Sequence, residues 1–467
     1  MTALMIQGAS SSAGKSLVTT ALARAFHRRG VDVVPFKAQN MSNNARVVAG
    51  GEIGTAQYLQ ALAAGVAPDV RMNPVLVKPE GDNQSQVVVL GRADQSLSAR
   101  PWRERRGLWP VISDSLHALL AEHQLVLMEG AGSPAEINLR GTDFANMRVA
   151  KEAEAAVVLV ADIDRGGAFA HLYGTWALLP AEEQALICGF LLNKFRGDAA
   201  LLAAAPERLN ELTGIATLGV LPWLTHGLPD EDGVAAPQTR GQAPTVAIVR
   251  YPTASNLDEF KQLDQVADVR YVAHARDLDG ADLVILPGSK HVAADLAWLR
   301  ESGLAAAVRA HVAGGRRLLA ICGGLQMLGE RLSDCGGVDG DAAGLGLLPL
   351  ETSFYADKEA RQTATRFLQL PPPWRQLSSL AFAGYEIRHG HSHATGRVSA
   401  ALPDGLGYVS GHILAVYLHG LFEQPALVEA LVADRPPRSL EAAFDGLADA
   451  VEAHVDIPSL LDKAGIS

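Results

Sequence analysis

Along this chain, short apolar runs closed by glycine or polar residues alternate with alanine- and leucine-rich stretches at helical spacing. Residues 2–7, 31–36, 125–129, 156–161 and 186–192 read as buried strands, and 15–29, 52–65, 111–122 and 166–179 as the helices between them. This rhythm predicts a mostly parallel sheet covered by helices on both faces. It breaks at "GVAAPQTRGQAP", 233–244, which has no periodicity, and restarts at 245–251, 269–272, 281–290 and 315–324. The expected fold class is therefore α/β, two α/β domains in series. The first spans 1–233, a linker 234–244 and the second 245–427, with a helical tail at 428–467. The segment 353–378, containing "QLPPPWRQL", predicts a long loop over the second domain.

Composition adds bounds. A chain of 467 residues exceeds one ordinary core, and a hydrophobic fraction of 48% with 19% charged residues is globular. The formal net charge of −11 argues against a large nucleic-acid surface. The three cysteines, Cys188, Cys322 and Cys335, have no paired spacing, so neither a disulfide framework nor a zinc site is expected and a cytoplasmic setting fits. "MTALMIQGAS" has no basic leader region, and no stretch has the apolar length of a membrane span.

Candidate chemistry clusters after the strands. In "QGASSSAGKS", 7–16, a general phosphate loop would put glycine where this chain has Ala9; the glycine is Gly8. The small residues Gly8, Ser12, Ala13 and Gly14 let backbone N–H groups approach a phosphate, and the helix opening near Lys15 adds its positive end. Lys15 is placed to reach the β- and γ-phosphates and Ser16 to ligate Mg²⁺. The plain alternative is a tight turn with an exposed lysine. "LVLMEGAGSPAEINL", 125–139, delivers Glu129 to a strand's carboxyl end as a magnesium ligand, with Glu52 as a second acid for the metal. Lys37, Gln39, Asn40, Asn43 and Asn44 crowd the loop after the second strand. Asp162, Asp164 and Arg165 end another strand, and Asn193 is placed to bond an adenine edge.

The second domain carries "RRLLAICGGLQMLGERL", 316–332. A strand ends at Cys322, Gly323 and Gly324 permit a sharp turn, and a helix follows, which exposes the thiol on an elbow. His419 ends the strand in "HILAVYLHGLFE" and is the candidate base. The N–H groups of Gly288, Ser289 and Gly323 are candidates for an oxyanion site. Cys188 and Cys335 read as inert.

Together, "GASSSAGKS", "PFKAQNM", "MEGAGSPAEINL", "DIDRGGAF", "NKFRGD", "PGSKH", "ICGGLQMLG", "AGYEIRHGHS" and "YLHGLFE" resemble the cobyric acid synthase family over about residues 4–425. The resemblance implies a P-loop ATPase domain like that of dethiobiotin synthetase, in which glycine precedes the lysine by seven positions, as Gly8 precedes Lys15. It implies a second, flavodoxin-like domain of the class I (triad) glutamine amidotransferases. The implied reaction uses ATP, Mg²⁺ and L-glutamine to amidate the b, d, e and g carboxylates of adenosylcobyrinic acid a,c-diamide, giving adenosylcobyric acid for cobalamin. Cys322 would attack glutamine, His419 would move protons and Gln326 would contact the glutamine. Lys37 and Asn40 would meet the carboxylate and phosphate. Small molecules are the expected partners, not nucleic acid or membrane, and the oligomeric state stays open. A closed path between domains would shield ammonia and the acyl phosphate.

Two departures stand out. Leu421 occupies the position two beyond the histidine where the class usually has glutamate, leaving Glu423 and Glu386 as candidates to orient His419. Ala320 replaces a common glycine before the nucleophile. The sister a,c-diamide synthase is the nearest alternative, and a partition-type ATPase switch is one from another class. An acidic protein also needs a local positive field for a polycarboxylate. "SARPWRERRGLW", 98–109, with Arg100, Arg103, Arg105 and Arg106 around Trp102 and Trp109, is the expected place for it.

Overall fold

The structure is a computed structural model. It describes residues 2–81, 84–100, 106–141, 143–224, 226–228, 243–432 and 436–466. Two compact units divide it: Met1–His226 together with Glu441–Ser467, and Gly227–Leu440. The linker expected at 234–244 lies almost wholly outside the described residues.

The first unit is built on six strands, β1 (Ala3–Gly8), β2 (Val33–Phe36), β3 (Leu125–Glu129), β4 (Ala156–Asp162), β5 (Ile187–Phe195) and β6 (Thr217–Pro222). Their order is β6-β5-β4-β1-β3-β2, every pair parallel. β1, β2 and β3 are buried along their whole length, which explains why they read as continuous apolar runs rather than alternations. Register then aligns the strand ends. Gly8 pairs with Val160, Ile6 with Glu129, and Asp162 with Asn193, so the loops after β1, β3, β4 and β5 share the carboxyl edge. In open α/β sheets this edge is where ligands bind.

The helix expected at 52–65 runs Thr55–Ala63, because Gly51–Gly54 pairs antiparallel with Ala45–Val48 as a hairpin. Gly51 permits this: its φ is 156°, and a Cβ there would lie 2.1 Å from the Gly91 carbonyl oxygen.

The expected tail belongs in part to this unit. Helix Leu440–His454 buries Phe444, Leu447 and Val451, and ion pairs tie it to helix Lys15–Arg28, with Arg24 2.8 Å from Glu441 and Arg28 2.7 Å from Asp449. Beyond it, Val455 bridges Gly219 on the edge strand β6. A Cβ on Gly219 would lie 2.2 Å from the His454 carbonyl oxygen, so glycine is what allows the backbone to close over that edge.

The second unit has its own sheet of β7 (Thr245–Val249), β8 (Asp268–Val272), β9 (Leu283–Leu286), β10 (Arg317–Ile321) and three later strands. The segment expected as a loop at 353–378 is instead largely strand. β11 (Leu350–Arg366) pairs antiparallel with β12 (Ala381–Ala394) in a long hairpin. Only the first residues of β11 are buried, so pairing rather than an apolar face holds the remainder, and the polar composition hides the strand. β13 (Ser399–Leu402), β14 (Gly407–Ser410) and β15 (Ile413–Val416) complete the main sheet in the order β8-β7-β9-β10-β15-β14-β13. The four strands β7 to β10 are parallel to their neighbours, as is β15 beside β10, which brings the ends of β9, β10 and β15 together. Among the described residues, no helix is long and apolar enough to cross a membrane.

Candidate active sites

In the first unit, β1 runs into the loop at Gly8 and helix Lys15–Arg28 leaves it. A Cβ on Gly8 would lie 2.7 Å from the Ser10 carbonyl oxygen and 3.1 Å from Lys15 Nζ, so this glycine lets the loop fold back over the lysine. Gly14 caps the helix at φ 95°, and a Cβ there would lie 2.1 Å from Asn193 Nδ2. Ser12 is also left-handed, at φ 57°. The end of β5 holds this loop in place: Asn193 Nδ2 donates to the Ala13 carbonyl at 2.9 Å, and Lys194 Nζ to the Ser12 carbonyl at 2.7 Å.

Polar side chains converge on Glu129. Ser16 Oγ donates to its Oε1 at 2.9 Å, Lys37 Nζ to the same oxygen at 2.8 Å, and Gln60 Nε2 to Oε2 at 2.6 Å. Lys15 Nζ donates to the Gly132 carbonyl at 3.1 Å. The side chains of Lys15, Lys37, Gln60 and Glu129 are buried. Of the residues expected around magnesium, Ser16 and Glu129 meet directly, whereas the Glu52 carboxylate has Lys78 Nζ against it. Asn40 Nδ2 donates to Gln57 Oε1 at 3.1 Å. A hydroxyl and a carboxylate beside a phosphate loop suit Mg²⁺, a hard cation that completes its shell with phosphate and water oxygens.

Asp162, Asp164 and Arg165 form a clamp of their own. Asp162 pairs with Lys194 at 2.9 Å and with Arg165 at 3.5 Å, and Asp164 pairs with Arg196 at 3.0 Å. Asn44 helps start the helix after the hairpin, its carbonyl accepting from the Thr55 N–H. Asn193 Oδ1 is buried without a hydrogen-bond partner among the described residues, an acceptor left for a ligand. Gln60 was not visible in the sequence, since a glutamine inside a helix carries no signal. In the arginine-rich run, Trp102, Arg103 and Arg105 lie outside the described residues.

In the second unit β10 ends at Ile321 and leads directly into Cys322, whose backbone sits at φ 50°, ψ −106°, before the turn Gly323–Leu328. A non-glycine residue held there is strained, as at a nucleophile elbow. The two glycines are needed for close approach: a Cβ on Gly324 would lie 2.2 Å from the Leu286 carbonyl oxygen, and one on Gly323 2.7 Å from the Ser289 nitrogen. Gly323, Gly288 and Ser289 are thus brought together as expected. The Ser289 hydroxyl is committed to Asp295 Oδ2 at 2.6 Å.

His419 is buried beside Cys322. A Cβ on Gly288 would lie 2.9 Å from its Cε1, and the Tyr385 ring stacks on it at 5.3 Å. Its Nδ1 is 2.8 Å from Glu259 Oε1, and the other Glu259 oxygen accepts from the Gly420 N–H at 2.9 Å. The orienting carboxylate is therefore Glu259, not Glu386 or Glu423. Glu386 is taken by Arg361 and Arg388, each at 2.8 Å. Glu259 lies on the short helical segment Leu257–Gln265 soon after β7. Its signal was topological only: an acidic residue following a strand whose end lies on the same edge as Cys322. Burial pushes the His419 imidazolium down, but Glu259 and the Cys322 sulfur outweigh it and hold the pKa up at about 10. The imidazolium form of His419 is therefore favoured beside Cys322. Gln326 Nε2, on the elbow helix, is buried with no well-formed hydrogen bond among the described residues, a donor left for a ligand.

Comparison with known proteins covers both units. The model of the CobQ/CobB/MinD/ParA nucleotide binding domain matches residues 4–228, and that of the CobB/CobQ-like glutamine amidotransferase domain matches 245–427. A cobyric acid synthase of Variovorax paradoxus is 55% identical, covering 97% of this chain and 97% of its own. One of Polaromonas sp. is 51% identical over 98% of this chain and 97% of its own, and one of Acidovorax sp. strain JS42 is 54% identical over the same shares.

Proposed function

Because the chain belongs to the cobyric acid synthase family, we propose that it amidates adenosylcobyrinic acid a,c-diamide at the b, d, e and g carboxylates, with ATP as energy source and glutamine as nitrogen donor. The observation that carries this reading is that one chain holds both a nucleophile with its base and a phosphate loop with a buried carboxylate. A switch ATPase would have no use for the first.

Cys322 attacks the side-chain amide of glutamine as a thiolate while the proton sits on His419, and His419 passes it to the departing ammonia. Water, deprotonated by His419, then releases glutamate from the thioester. The Gly323 amide opens the helical turn and has no intrahelical acceptor, so with the Gly288–Ser289 backbone it meets the oxyanion. Gln326 Nε2 donates to the bound glutamine. In the first unit, Lys15 and Lys37 place positive charge where a substrate carboxylate attacks the γ-phosphate, and Asn193 Oδ1 accepts from the adenine amino group. Ser16 and Glu129 would hold Mg²⁺, which neutralises phosphate charge when bound. Ammonia displaces phosphate from the acyl phosphate and leaves the amide.

Mass spectrometry of the corrinoid after incubation with ATP, Mg²⁺ and glutamine tests the assignment. Four successive replacements of OH by NH₂ support it, whereas two would indicate the sister a,c-diamide synthase. Lys15→Ala is expected to lower ATP-dependent amidation by about 10²–10³-fold while glutamine hydrolysis continues. A matching fall in both activities, followed by coupled assays, would argue that Lys15 does not act in the phosphate half alone.

A further inference from the structure

A pocket of about 320 Å³ opens beside the loop that follows Glu129, with Arg140, Arg148 and Lys151 in its wall against Asp143 and Glu183. These charges are not equivalent. Arg140 Nη2 is 2.8 Å from Glu183, and Lys151 Nζ is 3.1 Å from Glu182 and 3.3 Å from Glu183. Asp143 is engaged within its own loop, accepting from the N–H groups of Ala145 and Asn146 and from Asn146 Nδ2. Arg148 has no carboxylate partner among the described residues. Its guanidinium carbon sits 3.7 Å from the centroid of the Trp109 ring and 5.4 Å from that of Phe144. Stacking on the aromatic face orients the planar cation and leaves its N–H edge for a ligand.

The pocket is fixed to the phosphate loop. Asn146, which precedes the helix Met147–Glu152, donates Nδ2 to the Ala131 carbonyl at 2.8 Å and accepts from the Ala131 N–H at 3.1 Å. Lys15 donates to the next carbonyl, that of Gly132. Pro134 of the pocket wall is two residues further, about 7 Å at most along the chain. Ile137 and Leu139 of the same loop are 65% and 47% exposed.

We propose that this pocket takes a peripheral carboxylate of the corrinoid substrate, with Arg148 as its bidentate partner, while another carboxylate of the same ring lies at Lys15. The inference rests on the function read above and adds a substrate-positioning residue to it. A macrocycle with several reacting arms needs an anchor away from the phosphate, because the arm under attack cannot also hold the ring. An arginine already stacked on Trp109 supplies one with little ordering cost, since a planar cation bonds a carboxylate through two parallel N–H groups.

Steady-state kinetics on the full chain test it. Arg148→Ala is expected to raise the corrinoid KM by about 10- to 100-fold, the range for a lost charged hydrogen bond, with the KM values for ATP and glutamine unchanged. Arg148→Glu is expected to raise it further, because it repels the same group. A wild-type corrinoid KM in both variants overturns the proposal. If Arg148→Ala also raises the ATP KM, Arg148→Lys decides: a corrinoid KM nearer the wild type supports the charge contact, and one equal to that of the alanine variant overturns it. A wild type that amidates no corrinoid overturns the parent reading, and this one with it.

Discussion

Cys322→Ser is expected to abolish glutamine-dependent amidation, by at least about 10⁴-fold, and to leave amidation from ammonium salts intact. The substitution is nearly isosteric and keeps the elbow between β10 and the Gly323–Leu328 turn. The change is in acidity, because a serine hydroxyl does not give up its proton to His419 as a thiol does. No thioester forms, so no ammonia is released from glutamine. Free ammonia bypasses that step and needs only the phosphate loop and its carboxylates in the first unit. Corrinoid amide formation with glutamine or with ammonium chloride, measured side by side, separates the two halves. Glutamine-dependent turnover surviving at more than a tenth of the wild-type rate would remove Cys322 from the chemistry.

Glu259→Gln is expected to lower glutamine hydrolysis by about 10²–10⁴-fold, the range seen when a triad carboxylate becomes an amide. One carboxylate now serves both His419 Nδ1 and the Gly420 N–H. An amide has a single acceptor oxygen for those two donors, and its NH₂ cannot accept. The pH profile provides a readout that a packing defect would not reproduce. Burial lowers the His419 pKa and Glu259 raises it, to a net value of about 10. With the charge gone, burial is less opposed, and the imidazolium loses its proton at lower pH. The alkaline limb of kcat/KM therefore moves down in pH. An unmoved limb with an unchanged rate would show that Glu259 does not hold the histidine.

The carboxylate at position 259 also shows where sequence reading stops. The nucleophile, its elbow and the histidine were legible because each sits at the end of an apolar strand beside glycine, and local pattern carries that. Glu259 stands 160 residues from His419 in the chain, and only the parallel order of β7, β9, β10 and β15 brings the two together. Glu386 looked equally suitable by composition, but Arg361 and Arg388 claim it. The same limit explains Glu52, which lies on the Gly51–Gly54 strand of the small hairpin and meets Lys78 of the strand Val75–Gly81. β11 was missed for a different reason: a strand that is mostly exposed writes no apolar alternation. The displaced glycine at position 8 was legible, and its purpose is steric, since a side chain there would meet both the loop backbone and Lys15.

The return of residues 441–467 to the first unit has a consequence for how the protein is made. A ribosome synthesises residues 227–440 before it reaches the helices that cover β6 and pack on helix Lys15–Arg28. Until then the nascent ATP-binding half carries an open sheet edge and an uncovered helix face, both invitations to pairing with other chains. Folding of this half is thus completed last although it is translated first. An isolated fragment ending near residue 226 would remain in that unfinished state, whereas a circular permutant joining 441–467 directly ahead of β1 would not.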